Sequence, residues 1–211
     1  MDNNYIFQYW EAIQNGTVTV GKWIKTIYKI LVNGLKSGKW DFDEEKANKA
    51  INFIENFCHH SEGRNDLLKL ELWQKAIVSA IFGIMDKRTG YRQFREVFIV
   101  VARKNGKTLF AAAIAAYMAY IDGEYGAKVY FLAPKLDQAD LVYDAFYQIV
   151  QADDELDSIT KKRRSDIYIK EFNTSVKKIA FNSKKSDGFN PQMVVNDEME
   201  AWQGDLSLIH I

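Results

Sequence analysis

Cysteine occurs once in 211 residues, at Cys58, so the chain has no internal disulfide and reads as a protein of a reducing compartment. His59 and His60 follow it, but adjacent side chains do not converge on one tetrahedral ion. No paired C-x₂₋₄-C spacing accompanies them, and zinc is not expected. Long apolar runs are missing as well. None reaches 18 residues without a charge, which excludes a membrane-spanning helix, and the start Met1-Asp2-Asn3-Asn4 has no basic stretch to begin a secretory signal. Net charge is zero, with 28 Lys+Arg against 28 Asp+Glu, so bulk charge names no partner. Internal repeats and low-complexity tracts are also lacking, which excludes a solenoid and a linker.

Apolar and aromatic residues are plentiful. At 47% hydrophobic and 14% aromatic, the chain can bury one well-packed domain, or one domain with a small helical appendage. Residues 4–57 read as helices: over 20–35, Trp23, Ile24, Ile27, Tyr28, Leu31 and Leu35 fall on one face at a period of 3.6. Residues 43–57 repeat the pattern behind an acidic start that suits the helix dipole. The polar break 61–66 then sets a boundary, giving a helical part over 1–66 and a core over 67–205. Within the core the order is a helix over 70–85, a turn at Arg88-Thr89-Gly90, a strand over 97–101 and a helix from Thr108 to Tyr120. A strand over 128–133, a helix over 136–150, strand-like segments over 166–172 and 175–181, and an apolar strand at 193–196 follow. Strands alternating with helices predict an α/β fold with a mainly parallel sheet covered on both faces.

Charge is unevenly spread. Residues 137–157 hold seven acids and no Lys or Arg, whereas 160–190 carry nine Lys/Arg against three acids. The basic group (Lys161, Lys162, Arg163, Arg164, Lys177, Lys178, Lys184, Lys185) is either a solvated face or a contact for nucleic acid.

The most chemically specific stretch runs from Val97 to Ile114: five apolar residues, then Ala102-Arg103-Lys104-Asn105-Gly106-Lys107-Thr108, then an Ala-rich helix. A strand, a tight turn and a helix N-terminus aim successive backbone N–H groups at an anion. In such a loop Lys107 reaches the terminal phosphates of a nucleotide and Thr108 holds Mg²⁺. The full G-x-x-x-x-G-K-[ST] pattern fails at one place, since Val101 stands where its first Gly belongs. A matching acidic site comes about 90 residues later, where Met193-Val194-Val195-Asn196 delivers Asp197 and Glu198 to the end of a strand. Asp197 would hold Mg²⁺ opposite Thr108, and Glu198 would take a proton from, or orient, the attacking water.

Together these residues resemble the ATPase domain of the large terminase subunit of tailed bacteriophages. Leu70-Glu71-Leu72-Trp73-Gln74-Lys75 is similar to that family's adenine-sensing segment, which implies that Gln74 hydrogen-bonds the base. The loop is similar to the family's deviant phosphate loop, which accounts for the missing Gly and implies that Arg103 stabilises charge on the γ-phosphate. Leu132-Ala133-Pro134 with Gln138, and the run 183–191 leading into Asp197-Glu198, also match the family pattern.

The resemblance implies a P-loop core with a catalytic glutamate, preceded by a small helical segment. Its nucleotide is ATP, bound by Gln74 and by Arg103, Lys104, Asn105, Gly106, Lys107 and Thr108. Its Mg²⁺ sits on Thr108 and Asp197, and its catalytic groups are Glu198, Arg103 and Lys107. The partners implied are double-stranded DNA, a portal protein, a small terminase subunit and sibling copies in a ring, in the host cytoplasm and away from any membrane. The family's nuclease domain is expected to be absent from this chain. The end, Leu206-Ser207-Leu208-Ile209-His210-Ile211, reads as a translated sequencing adapter and is expected to be an artefactual tail. A helicase-like DNA-dependent ATPase would share the same two motifs, and an inert nucleotide- or DNA-binding module is the reading from another class.

Overall fold

In a computed structural model, residues 4–60, 63–102, 104–180 and 191–196 are described, and they form two compact units. The first comprises residues 1–56 and 69–100, the second residues 57–68 and 101–211. The helical part therefore extends further than the break at 61–66 predicts, because residues 69–100 pack with it.

The first unit is built from α1 (Tyr5–Gln14), α2 (Lys22–Lys36), α3 (Glu44–Phe57) and α4 (Leu72–Gly83). A two-residue ladder, β1 (Asp41–Phe42) with β2 (Ile84–Met85), is antiparallel, pairing Asp41 with Met85 and Phe42 with Ile84. Caps explain where the helices start. The Asn4 side chain accepts the Ile6 N–H at 3.0 Å, and the Asp43 carboxylate accepts the Lys46 N–H at 2.9 Å. α1 packs on α2 and α4 around Ile6, Tyr9, Ile13, Tyr28, Leu31, Val32, Trp40, Ala76 and Ile84, with Tyr9 edge-on to Tyr28 at 4.7 Å. The apolar face expected on the second helix is only partly used. Tyr28, Leu31 and Val32 are buried, while Trp23, Ile24, Ile27 and Ile30 are exposed.

The second unit holds α5 (Lys107–Tyr120), β3 (Lys128–Ala133), α6 (Leu136–Ala152), α7 (Asp154–Ile159), β4 (Thr160–Lys162), β5 (Ile167–Ile169), β6 (Thr174–Ala180) and β7 (Met193–Asn196). The sheet runs in the order β4-β5-β6-β3-β7. β6 and β7 flank β3 in parallel, aligning Val129 with both Val176 and Met193, and β4 and β5 are antiparallel additions. α7, β4 and the pair β1–β2 are elements that hydrophobic periodicity did not predict. α5 is almost wholly buried, as its Ala-rich sequence requires, and packs on the sheet and on α6. Aromatic contacts tie β3 to α6, with Phe131 5.9 Å from Phe146 and 6.3 Å from Tyr143. Tyr120 hydrogen-bonds Thr160 at 2.6 Å. The Thr160 hydroxyl already donates to the Leu156 carbonyl, so the phenol is the donor in that pair.

One predicted strand is absent. Residues 97–101 carry no ladder hydrogen bonds, and among the described residues β7 pairs only with β3. Phe98 and Val100 are 74% and 80% exposed, so this apolar run lies unpaired where the two units meet in the sequence. Among the described residues no helix is long and apolar enough to cross a membrane.

Candidate functional site

The loop before α5 owes its shape to two left-handed residues. Lys104 has φ 63° and Gly106 has φ 69°, ψ 22°. Gly106 meets this demand without a Cβ, whereas Lys104 holds it against strain on the order of 1–2 kcal/mol. The Asn105 side-chain amide donates to the Ala102 carbonyl at 3.0 Å, closing the turn from inside. Lys104, Asn105 and Gly106 are all exposed, and Lys107 and Thr108 are half-buried at the mouth of the helix.

α5 starts without help from side chains. Its N-cap is Gly106, which offers no capping oxygen, and its first turn contains no acid, so the helix itself supplies no anion to the positive end of its dipole. A phosphate group suits such a terminus.

The topology carries this terminus towards the end of the sheet where β7 finishes. The link 121–127 brings the end of α5 to the start of β3 and is pinned there: the Gly126 N–H donates to the Phe172 carbonyl at 2.8 Å. Gln192, just before β7, donates its side-chain amide to the Asp122 carbonyl at 3.0 Å and its N–H to the Lys128 carbonyl at 2.9 Å. The end of α5 and the starts of β3 and β7 therefore meet at one edge. A helix of 14 residues and a strand of six span similar lengths, about 21 and 20 Å, so Lys107 and Thr108 lie towards the edge where β3 and β7 finish. β7 ends at Asn196, whose side-chain oxygen is buried without a partner among the described residues. Asp197 and Glu198 follow Asn196 directly in the sequence, but they, like Arg103, lie outside the described residues.

Gln74 is in the first unit and has a role that the sequence did not suggest. It is the third residue of α4, its side-chain oxygen accepts the Glu71 N–H at 2.8 Å, and the Glu71 carboxylate reciprocates with the Gln74 N–H. This is a capping box, whose trace in the sequence is the three-residue spacing of Glu71 and Gln74.

Three of the eight residues in the basic group are committed within the chain. Arg163 grips the buried Asp166 with two hydrogen bonds, at 2.7 and 2.6 Å, and lies 4.0 Å from the Tyr168 ring. Lys162 lies 4.0 Å over Tyr147, and Lys178 pairs with Asp140. Lys161 and Arg164 are exposed, while Lys184 and Lys185 lie outside the described residues. The His59 ring bonds the Asn65 carbonyl at 2.9 Å and His60 meets Arg64 at 2.7 Å. Burial pushes the Cys58 thiol up, keeping it protonated. No metal-binding cluster occurs among the described residues.

The family model described as terminase large subunit, ATPase domain, matches residues 72–211, and so runs through to Ile211. Terminase large subunits of Lactococcus phages p2 and SK1 are each 24% identical over 206 residues, covering 92% of this chain and 37% of theirs. The chain thus spans little more than a third of the length of these relatives. The crystal structure of the HK97 bacteriophage large terminase shares its fold with a TM-score of 0.64 at 24% identity, over 75% of this chain and 32% of that one.

Proposed function

This chain belongs to the family of terminase large subunit ATPase domains, and from that premise we propose that it is the motor of a phage packaging machine, coupling Mg-ATP hydrolysis to movement of double-stranded DNA into a procapsid. The observation that carries the reading is the start of α5, where a loop with two left-handed residues and no acid in the following turn leaves a helix N-terminus suited to phosphate.

In this reading the backbone of Lys104, Asn105 and Gly106 cradles the phosphates, and Lys107 neutralises their charge. Thr108 and Asp197 would hold Mg²⁺, which when bound offsets negative charge on the phosphate oxygens. Thr108 is half-buried in the first turn of α5, a position that suits that task. Glu198 takes a proton from the attacking water, and Arg103 steadies charge on the γ-phosphate. Gln74 contacts the base. A portal protein, a small terminase subunit and sibling copies in a ring, all in the host cytoplasm, are the proposed surroundings.

The test is a pair of substitutions. Lys107→Ala should weaken ATP binding and abolish hydrolysis, while Glu198→Gln should bind ATP normally and lose turnover by about a hundredfold or more, since only the water-activating step is removed. Undiminished turnover by Glu198→Gln would sink the assignment.

A further inference from the structure

α2 is the most conspicuous uncovered surface. Tyr28, Leu31 and Val32 face the core, but Trp23, Ile27 and Ile30 are 73%, 50% and 55% exposed. Their spacing of four and three residues puts them in one stripe, which Ile24 widens. Lys22, Lys25 and Lys29 form a second exposed stripe on the same helix, the Lys22 ammonium lies 5.5 Å from the Trp23 ring centroid, and the helix contains no acid at all. Apolar area of this kind on a folded chain marks a contact surface.

The counterpart in charge is on α6 and α7. Asp137, Leu141, Asp144 and Gln148 are exposed at the same helical spacing, with Leu136 beside them, and α7 adds the exposed Asp154, Glu155 and Asp157. The two long helices match in extent, 15 residues against 17, or about 22 against 25 Å.

We propose that these are the two halves of one interface: α2 of one copy docks on the α6–α7 face of the next. The Trp23–Ile27–Ile30 stripe closes over Leu136 and Leu141, and the lysines meet Asp137, Asp144 and the acids of α7 around the rim. The two faces are different surfaces, so the contact is heterologous. Every copy added leaves one face of each kind free until a ring closes or a filament grows. A membrane surface also takes basic amphipathic helices, but it leaves the acidic, leucine-bearing face of α6 without a function. The inference deepens the ring reading above, and it is separable from the nucleotide site, since none of its residues lies in the loop before α5.

The experiment reverses charge on each face separately and measures self-association of the purified protein by sedimentation velocity. Lys22→Glu/Lys25→Glu/Lys29→Glu should weaken association by about tenfold or more, and so should Asp137→Lys/Asp144→Lys. An equimolar mixture of the two variants should recover it, because both kinds of junction in an alternating assembly are then complementary. ATP binding by each variant should equal that of the unmodified protein, so loss of nucleotide binding on Lys107→Ala can stand or fall independently. The proposal is overturned if the unmodified protein stays monomeric at every concentration, or if mixing fails to restore association of variants whose melting is normal. It is also overturned if the α2 variant keeps its self-association and instead loses binding to phosphatidylserine vesicles.

Discussion

Gln74 is proposed to bind a base while it also caps α4, and the two roles separate by substitution. Gln74→Glu keeps an oxygen for the Glu71 N–H but removes the amide donor, so melting should hold while the preference for ATP over GTP falls. Gln74→Ala should lose both, with a stability cost of about 1 kcal/mol. Thermal melts and competitive nucleotide binding read the two effects. Gly106 tests the loop itself. A Cβ built there meets nothing within 4 Å, so Gly106→Ala introduces no clash and costs only its left-handed conformation, about 1 kcal/mol, with weaker nucleotide binding as the loop relaxes. The turn before Lys107 and Thr108 was legible in the sequence because Gly106 and the Ala-rich run after it mark a tight loop ahead of a helix. The cap made by Gln74 leaves only a weak mark in the sequence, its three-residue spacing from Glu71, since Glu is a rare N-cap where Ser, Thr, Asp and Asn lead.

Elements were easier to recognise than their faces. The 3.6 period of residues 20–35 predicts a helix and α2 is one, yet periodicity cannot say which adjacent apolar row is buried. That is decided by α1 and by Trp40. Trp40 folds back over Gly34, where a Cβ would overlap its ring. A similar close approach holds Gly83, whose Cβ would stand 2.6 Å from Phe42 and 2.9 Å from Ala47. Gly34→Ala and Gly83→Ala should therefore each destabilise by about 1–3 kcal/mol in denaturant titrations, unlike Gly21→Ala, where nothing lies within 4 Å. The same limit explains residues 97–101. Five apolar residues state a preference for extended, buried backbone, but a strand exists only when a neighbouring strand offers its hydrogen bonds. The partner of β7 is β3, a pairing between segments about 60 residues apart.

Ionisation of the buried tyrosines reports on both units. Burial pushes the Tyr143 phenol up to about 12 and raises Tyr28 and Tyr120 as well. The unfolded chain loses these protons first, near pH 10, and the Cys58 thiol, raised by burial in the same way, near pH 9, so stability should begin to fall above about pH 9 and go on falling to about 12. Circular dichroism should follow that loss, and phenolate absorbance should lag that of a denatured control. If the absorbance tracks the control, the phenols are not buried. By itself the sequence determined the α/β class, the order of most elements and the loop ahead of α5, because these follow from local periodicity, turn residues and short spacings. The tertiary structure alone decided that residues 69–100 join the helical unit, that β3 and not residues 97–101 pairs with β7, and that α2 keeps a row of large apolar side chains in solvent. Each of those outcomes depends on contacts between residues far apart in the chain, where a pattern states what a segment prefers to bury but not what will cover it.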